Sequence, residues 1–145
     1  MLWQEILIDR PLTSEAITIA LSELFSLPAN AIAVVEDIAT SESNEHTQII
    51  CERQPIKGEF VEKLSVYLLN AKLADNIDLK DIEKLCRLLH CKCLISDDSL
   101  NPFSMILVED LGKNQIIFLD IERLENDEEY IIDRSLESKK LTFAL

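Results

Sequence analysis

Apolar residues recur along this chain at two spacings, every second position and every third or fourth, and each switch between them predicts an element. Residues 3–9 (WQEILID) are a short apolar run closed by RPLTS, the signature of a strand. Ile17, Ala20, Leu21, Leu24 and Leu27 then share one helical face, with Thr13 or Ser14 as the cap, Glu15 near the positive end of the dipole and Pro28 as the stop. Residues 31–38 (AIAVVEDI) and 47–53 (TQIICER) are β-branched runs joined by the polar ATSESNEH, and they are expected to pair antiparallel.

Between residues 58 and 70 two periods compete. Phe60, Leu64, Val66 and Leu68 nearly alternate, whereas Val61, Leu64 and Leu68 also fit a helical stripe; the alternation favours a strand. A second helix over 78–90 (DLKDIEKLCRLLH) is capped by Asp78 and carries Leu79, Ile82, Leu85, Cys86 and Leu89 on one face. Three strand-like runs come next, CKCLIS, FSMILVED and QIIFLDIE, the last two separated by LGKN, where Gly112 permits a tight reversal. They predict a meander.

The expected order is therefore β-α-β-β-β-α-β-β-β over 145 residues, a length that suits one domain. Short connections make a mainly antiparallel sheet with both helices on one face the arrangement that buries their stripes, an α+β fold. Helix then meander occurs twice, a topological pseudo-repeat about residues 1–70 and 76–133 without a matching sequence repeat.

Charge changes the picture next. The chain carries 14 Lys and Arg against 27 Asp and Glu, a formal net charge of -13 that repels phosphate backbones and anionic lipid heads. Nucleic acid and membrane are thus not expected as partners. A basic protein surface is, because the same field accelerates such an encounter. No apolar run approaches the ~20 residues that span a bilayer, and MLWQEILIDR has no export pattern, so a cytoplasmic protein with reduced cysteines is expected.

Candidate chemistry is sparse. Gly58 and Gly112 are the only glycines, too few for a phosphate-cradling loop or a dinucleotide fingerprint. His46 and His90 accompany no nucleophile elbow. Cys86, His90, Cys91 and Cys93 lie close in sequence, but Cys-x3-His-Cys-x-Cys matches no common zinc spacing, and the thiols read better as small buried hydrophobes. No metal or other cofactor is expected. Asp97 and Asp98 lie in SDDSLNP between two strands, a composition that a reversal explains fully. They are also the alternative acidic site, because a small carboxylate-dependent hydrolase using a divalent metal would need such acids.

Two features point to an interaction protein. Residues 120–137 (DIERLENDEEYIIDRSLE) form an acidic lobe in which Glu125, Asp127, Glu128, Glu129 and Tyr130 are the candidate partner-binding residues, the tyrosine being of the type enriched in hot spots. The ending KKLTFAL alternates Leu141, Phe143 and Leu145 as a strand would, either covering the chain's own core or extending a sheet edge. The functional expectation is a non-enzymatic, acidic interaction module, such as an inhibitor, immunity protein or adaptor, with a basic protein partner. Homodimerisation is compatible with the same features.

Overall fold

A computed structural model describes residues 1–40, 44–75, 77–109 and 113–136. Its strands are β1 (Leu2–Ile8), β2 (Ile32–Val35), β3 (Ile49–Pro55), β4 (Lys57–Gly58), β5 (Glu62–Leu68), β6 (Cys93–Ser96), β7 (Ser104–Val108), β8 (Gln115–Phe118) and β9 (Glu129–Tyr130); its helices are α1 (Ser14–Phe25), α2 (Leu79–Leu89) and α3 (Ile121–Asp127). Seven strands form one sheet in the order β2-β3-β5-β1-β6-β7-β8, and β4 and β9 pair separately. The fold is α+β with a mostly antiparallel sheet.

Both predicted helices pack on one sheet face. Thr13 caps α1 by accepting from the amide of Ala16, which leaves Ile17, Ala20, Leu21 and Leu24 buried. Asp78 caps α2 in a reciprocal box with Asp81, and Ile82, Leu85, Cys86 and Leu89 are buried. Leu79, expected on that stripe, stays exposed beside the cap. Against these stripes the sheet presents Ile6, Ile8, Ile49, Cys51, Leu64, Val66, Cys93, Ile95 and Val108. Each large side chain removed from water here contributes ~1.5–3 kcal/mol, so this face is the main core.

The ambiguous segment is a strand, since β5 pairs with β1 on one side and β3 on the other. The meander β6-β7-β8 is antiparallel throughout. Gly112 and the alternating residues Leu141, Phe143 and Leu145 lie outside the described residues.

Two expectations are corrected. β2 and β3 are parallel, with Ile32 opposite Ile49 and Val35 opposite Glu52. A parallel pair needs a crossover of about a dozen residues, which residues 36–48 supply. Its ends are tied down where the Gln48 amide donates to the Ala31 carbonyl (2.8 Å) and the Ile38 amide donates to Glu52 Oε2 (2.9 Å). The run QIIFLDIE is a strand only to Phe118; Asp120 then accepts from the amide of Arg123 and caps α3 inside the acidic lobe.

The second sheet face holds a smaller core. Leu7, Leu94, Leu107 and Ile117 lie beneath Phe60 and Leu119, with Leu124 of α3, Tyr130 of β9 and Ile132 packed against them. The sheet is not paired along its whole length. β1 pairs with β5 from Leu2 to Ile8, but with β6 only at Leu7 and Ile8. The strands therefore fork towards the start of β1, where a bulge at Trp3 turns the indole onto Phe25, ring centroids 5.4 Å apart and edge to face.

Candidate functional site

The acidic lobe is built on α3 and held by β9. Glu128 takes the left-handed conformation (φ 55°) that ends α3, and its amide donates to the Leu124 carbonyl. β9 then runs parallel to β4, with Gly58 opposite Tyr130. Gly58 has φ +115°, and a Cβ there would stand 2.6 Å from the Tyr130 carbonyl oxygen, so only glycine allows this approach. Glu59 completes the anchor. Its amide donates to the Tyr130 carbonyl, its Oε2 accepts from the Ile132 amide (2.7 Å), and its Oε1 meets Arg134 Nη1 at 2.6 Å.

This framework divides the predicted partner-binding residues. Asp127 and Glu129 are occupied by Arg123, at 3.6 Å and 2.9 Å, whereas Glu125 and Glu128 are exposed and, among the described residues, have no cationic partner. Tyr130 is half-buried. It lines a cavity of about 470 Å³ beside α3 whose other walls include Leu7, Met105, Leu119 and Leu124, with Glu5, Lys63 and Asp98 at the mouth. Lys63 Nζ is paired with Glu5 at 3.5 Å.

The two aspartates of the alternative site separate. Asp97 closes the reversal: its Oδ1 accepts from the Ser99 amide at 2.9 Å and its Oδ2 accepts from the Ser104 hydroxyl. Partial desolvation pushes the Asp97 carboxyl up, but the hydrogen bonds from Ser104 and Ser99 outweigh it and hold the carboxyl below its ordinary value. Asp98 takes the left-handed conformation (φ 61°), its amide donates to Ser96 Oγ, and its exposed carboxylate has no ion-pair partner among the described residues. The fold thus brings Asp98, and not Asp97, into one groove with Tyr130.

All four cysteines are buried, and none forms a disulfide among the described residues. Cys86 Sγ lies 3.2 Å from Cys93 Sγ, and Cys91 shares a hydrogen bond with Cys86. The hydrogen bond to Cys86, then burial, drive the Cys91 and Cys93 thiols far above the ordinary range, and burial next to Glu62 pushes Cys51 up to about 12. Such thiols are neutral and poorly nucleophilic. Among the described residues no group of three or more His, Cys, Asp or Glu side chains is placed to hold a metal ion, and no helix is long and apolar enough to cross a membrane.

Sequence reasoning missed one charged pair. Glu62 is only 5% exposed; its Oε1 meets Arg53 Nε at 2.5 Å and its Oε2 accepts from the Leu12 amide at 3.3 Å. Arg53 also donates to the Leu12 carbonyl and to Ser14 Oγ, clamping the entry of α1 to the sheet. The pair lines a cleft of about 820 Å³ with Pro11, Glu36 and Gln54. Its signal was present: Arg53 continues the inward row of Ile49 and Cys51, and Glu62 begins that of Leu64 and Val66. A cation and an anion closing adjacent inward rows is the pattern of a buried pair. Both carboxylate oxygens and all three guanidinium nitrogens find partners within the fold, which makes the pair a clamp.

The chain matches no protein-family model, no curated protein and no solved structure.

Proposed function

We propose that the protein is a non-enzymatic interaction module, of the inhibitor, immunity-protein or adaptor kind, that binds a basic protein through the α3 side of its sheet. The observation that carries this reading is the groove beside α3: an apolar lining of Leu7, Met105 and Leu124, an amphipathic tyrosine at its wall, and Asp98, an acid without an ion-pair partner among the described residues, on its border. Apolar anchor pockets ringed by charge are the anatomy of protein interfaces. A net charge of -13 supplies the long-range attraction for a cationic surface. The raised thiols and the hydrogen-bonded Asp97 lend no support to a nucleophile or a carboxylate pair.

The test replaces Tyr130 with a photo-crosslinking phenylalanine analogue in the native cell. A discrete adduct with a basic protein is expected, formed more slowly at low salt when Glu125→Gln, Asp127→Asn, Glu128→Gln and Glu129→Gln are combined. Absence of any adduct overturns the reading, and an adduct rate indifferent to the four substitutions removes the acidic lobe from the site.

A further inference from the structure

The fork between β1 and β6 has a cavity on each side of the sheet. The groove of about 470 Å³ opens on the α3 side; a second cavity of about 240 Å³ opens on the helix side, against Ile82 and Ile106. Both are bordered by the same four residues, Trp3, Gln4, Ser96 and Asp98. These residues stand where the pairing of β1 with β6 has ended, so both cavities border the same unpaired stretch of the sheet.

That stretch has the properties of a strand-binding site. Over Leu2–Ile6, β1 bonds to β5 on one edge and, among the described residues, to no strand on the β6 side, so its main-chain donors and acceptors there face away from β5 without a strand partner. Successive side chains of a strand point to opposite faces of a sheet. An inserted segment therefore puts one side chain into each cavity in turn. The smaller cavity is bordered by Asp78, the N-cap of α2, and both cavities by Asp98, an exposed carboxylate without an ion-pair partner among the described residues.

We propose that the fork receives an extended, cationic segment of a protein partner as an added strand, with apolar side chains in the two cavities and a lysine or arginine on Asp98. This rests on the interaction-module reading and names the occupant of its groove. Main-chain pairing supplies affinity and the flanking cavities supply selectivity, as in other strand additions to an open edge.

The experiment titrates the full chain with a fluorescein-labelled peptide amide, KLKVFVKL, and with two controls: the same peptide with proline for the central phenylalanine, and one with glutamate for each lysine. Saturable binding of the first alone is expected, with slowed amide exchange at Leu2–Ile6 and Ser96. Asp98→Asn, which keeps a residue tolerant of the left-handed conformation, is expected to weaken it about two- to fivefold, the range of an exposed ion pair. Equal binding of the proline peptide, or unaltered exchange at Leu2–Ile6, overturns the inference. So does an affinity raised about tenfold by Leu141→Asn, Phe143→Asn and Leu145→Asn, which assigns the fork to the chain's own terminus. A dimer that the peptide dissociates assigns it to a second copy and equally overturns the partner. If the peptide fails while the Tyr130 adduct persists, the fork inference alone falls; if both fail, the interaction reading falls with it.

Discussion

Arg53 Nε and Glu62 Oε1 stand 2.5 Å apart at the end of two inward-facing rows, and the same guanidinium reaches across to the Leu12 carbonyl. Removing one partner strands the other. Arg53→Met leaves a buried carboxylate unpaired and is expected to cost ~3 kcal/mol, whereas Arg53→Met with Glu62→Leu costs clearly less because no charge is left behind. Urea unfolding of both variants measures it. A single substitution as mild as the double would mean that the pair is solvated and does not clamp α1.

Gly58 meets the Tyr130 backbone too closely for any side chain. Gly58→Ala is expected to destabilise by ~2 kcal/mol, through left-handed strain and the displaced β9 strand. Amide exchange at Glu59 and Ile132 should accelerate before global unfolding. An alanine variant with unchanged exchange would contradict the contact.

Asp97 contributes to stability with a defined sign. Desolvation raises its folded-state value, but the Ser104 and Ser99 hydrogen bonds more than reverse this, so the folded value lies below the unfolded one. The contribution is complete above the unfolded aspartate range near ~4 and disappears as pH falls through the folded value. Wild type and Asp97→Asn should therefore differ in unfolding midpoint at pH 7 and converge in acid. A gap that persists undiminished in acid would show that the carboxylate charge is not what the two serines stabilise.

Cys51 shows the opposite sign. Its thiol is raised to about 12 by burial, so its contribution is complete below the unfolded cysteine range near ~8.5 and is lost as pH rises towards 12. Cys51→Val is expected to flatten the alkaline decline of stability. Native-state alkylation at pH 8 should be slow for all four buried cysteines and fast in urea. Fast native labelling at Cys51 would mean that the core opens locally.

Much of the fold is legible in local pattern. The stripes of α1 and α2 and the caps Thr13 and Asp78 act within a few residues of the chain, so spacing and residue type specify them directly. The strand at 62–68 could be preferred over a helix because its alternation outruns its helical stripe. The short α3 was hidden, since Ile121 and Leu124 are too few to make a stripe and Asp120 is one acid among many.

The candidate site was legible in part for the same reason. Tyr130 and Asp98 could each be singled out by type, but their meeting in one groove depends on β4 accepting β9 at Gly58, a contact between segments some seventy positions apart. The clamp of Arg53 and Glu62 likewise joins two strands whose register decides which side chains face inward.

The order of residues by itself determined α1 and α2, most strands, the α+β class and the surplus of negative charge, because these arise from period, capping chemistry and composition. Only the tertiary structure decided that β2 and β3 run parallel, that β1 and β6 part, and that half-buried Tyr130 shares a groove with Asp98. Strand direction and register are settled by contacts between distant segments, where loop length and competing burial decide the outcome and no local preference reports it.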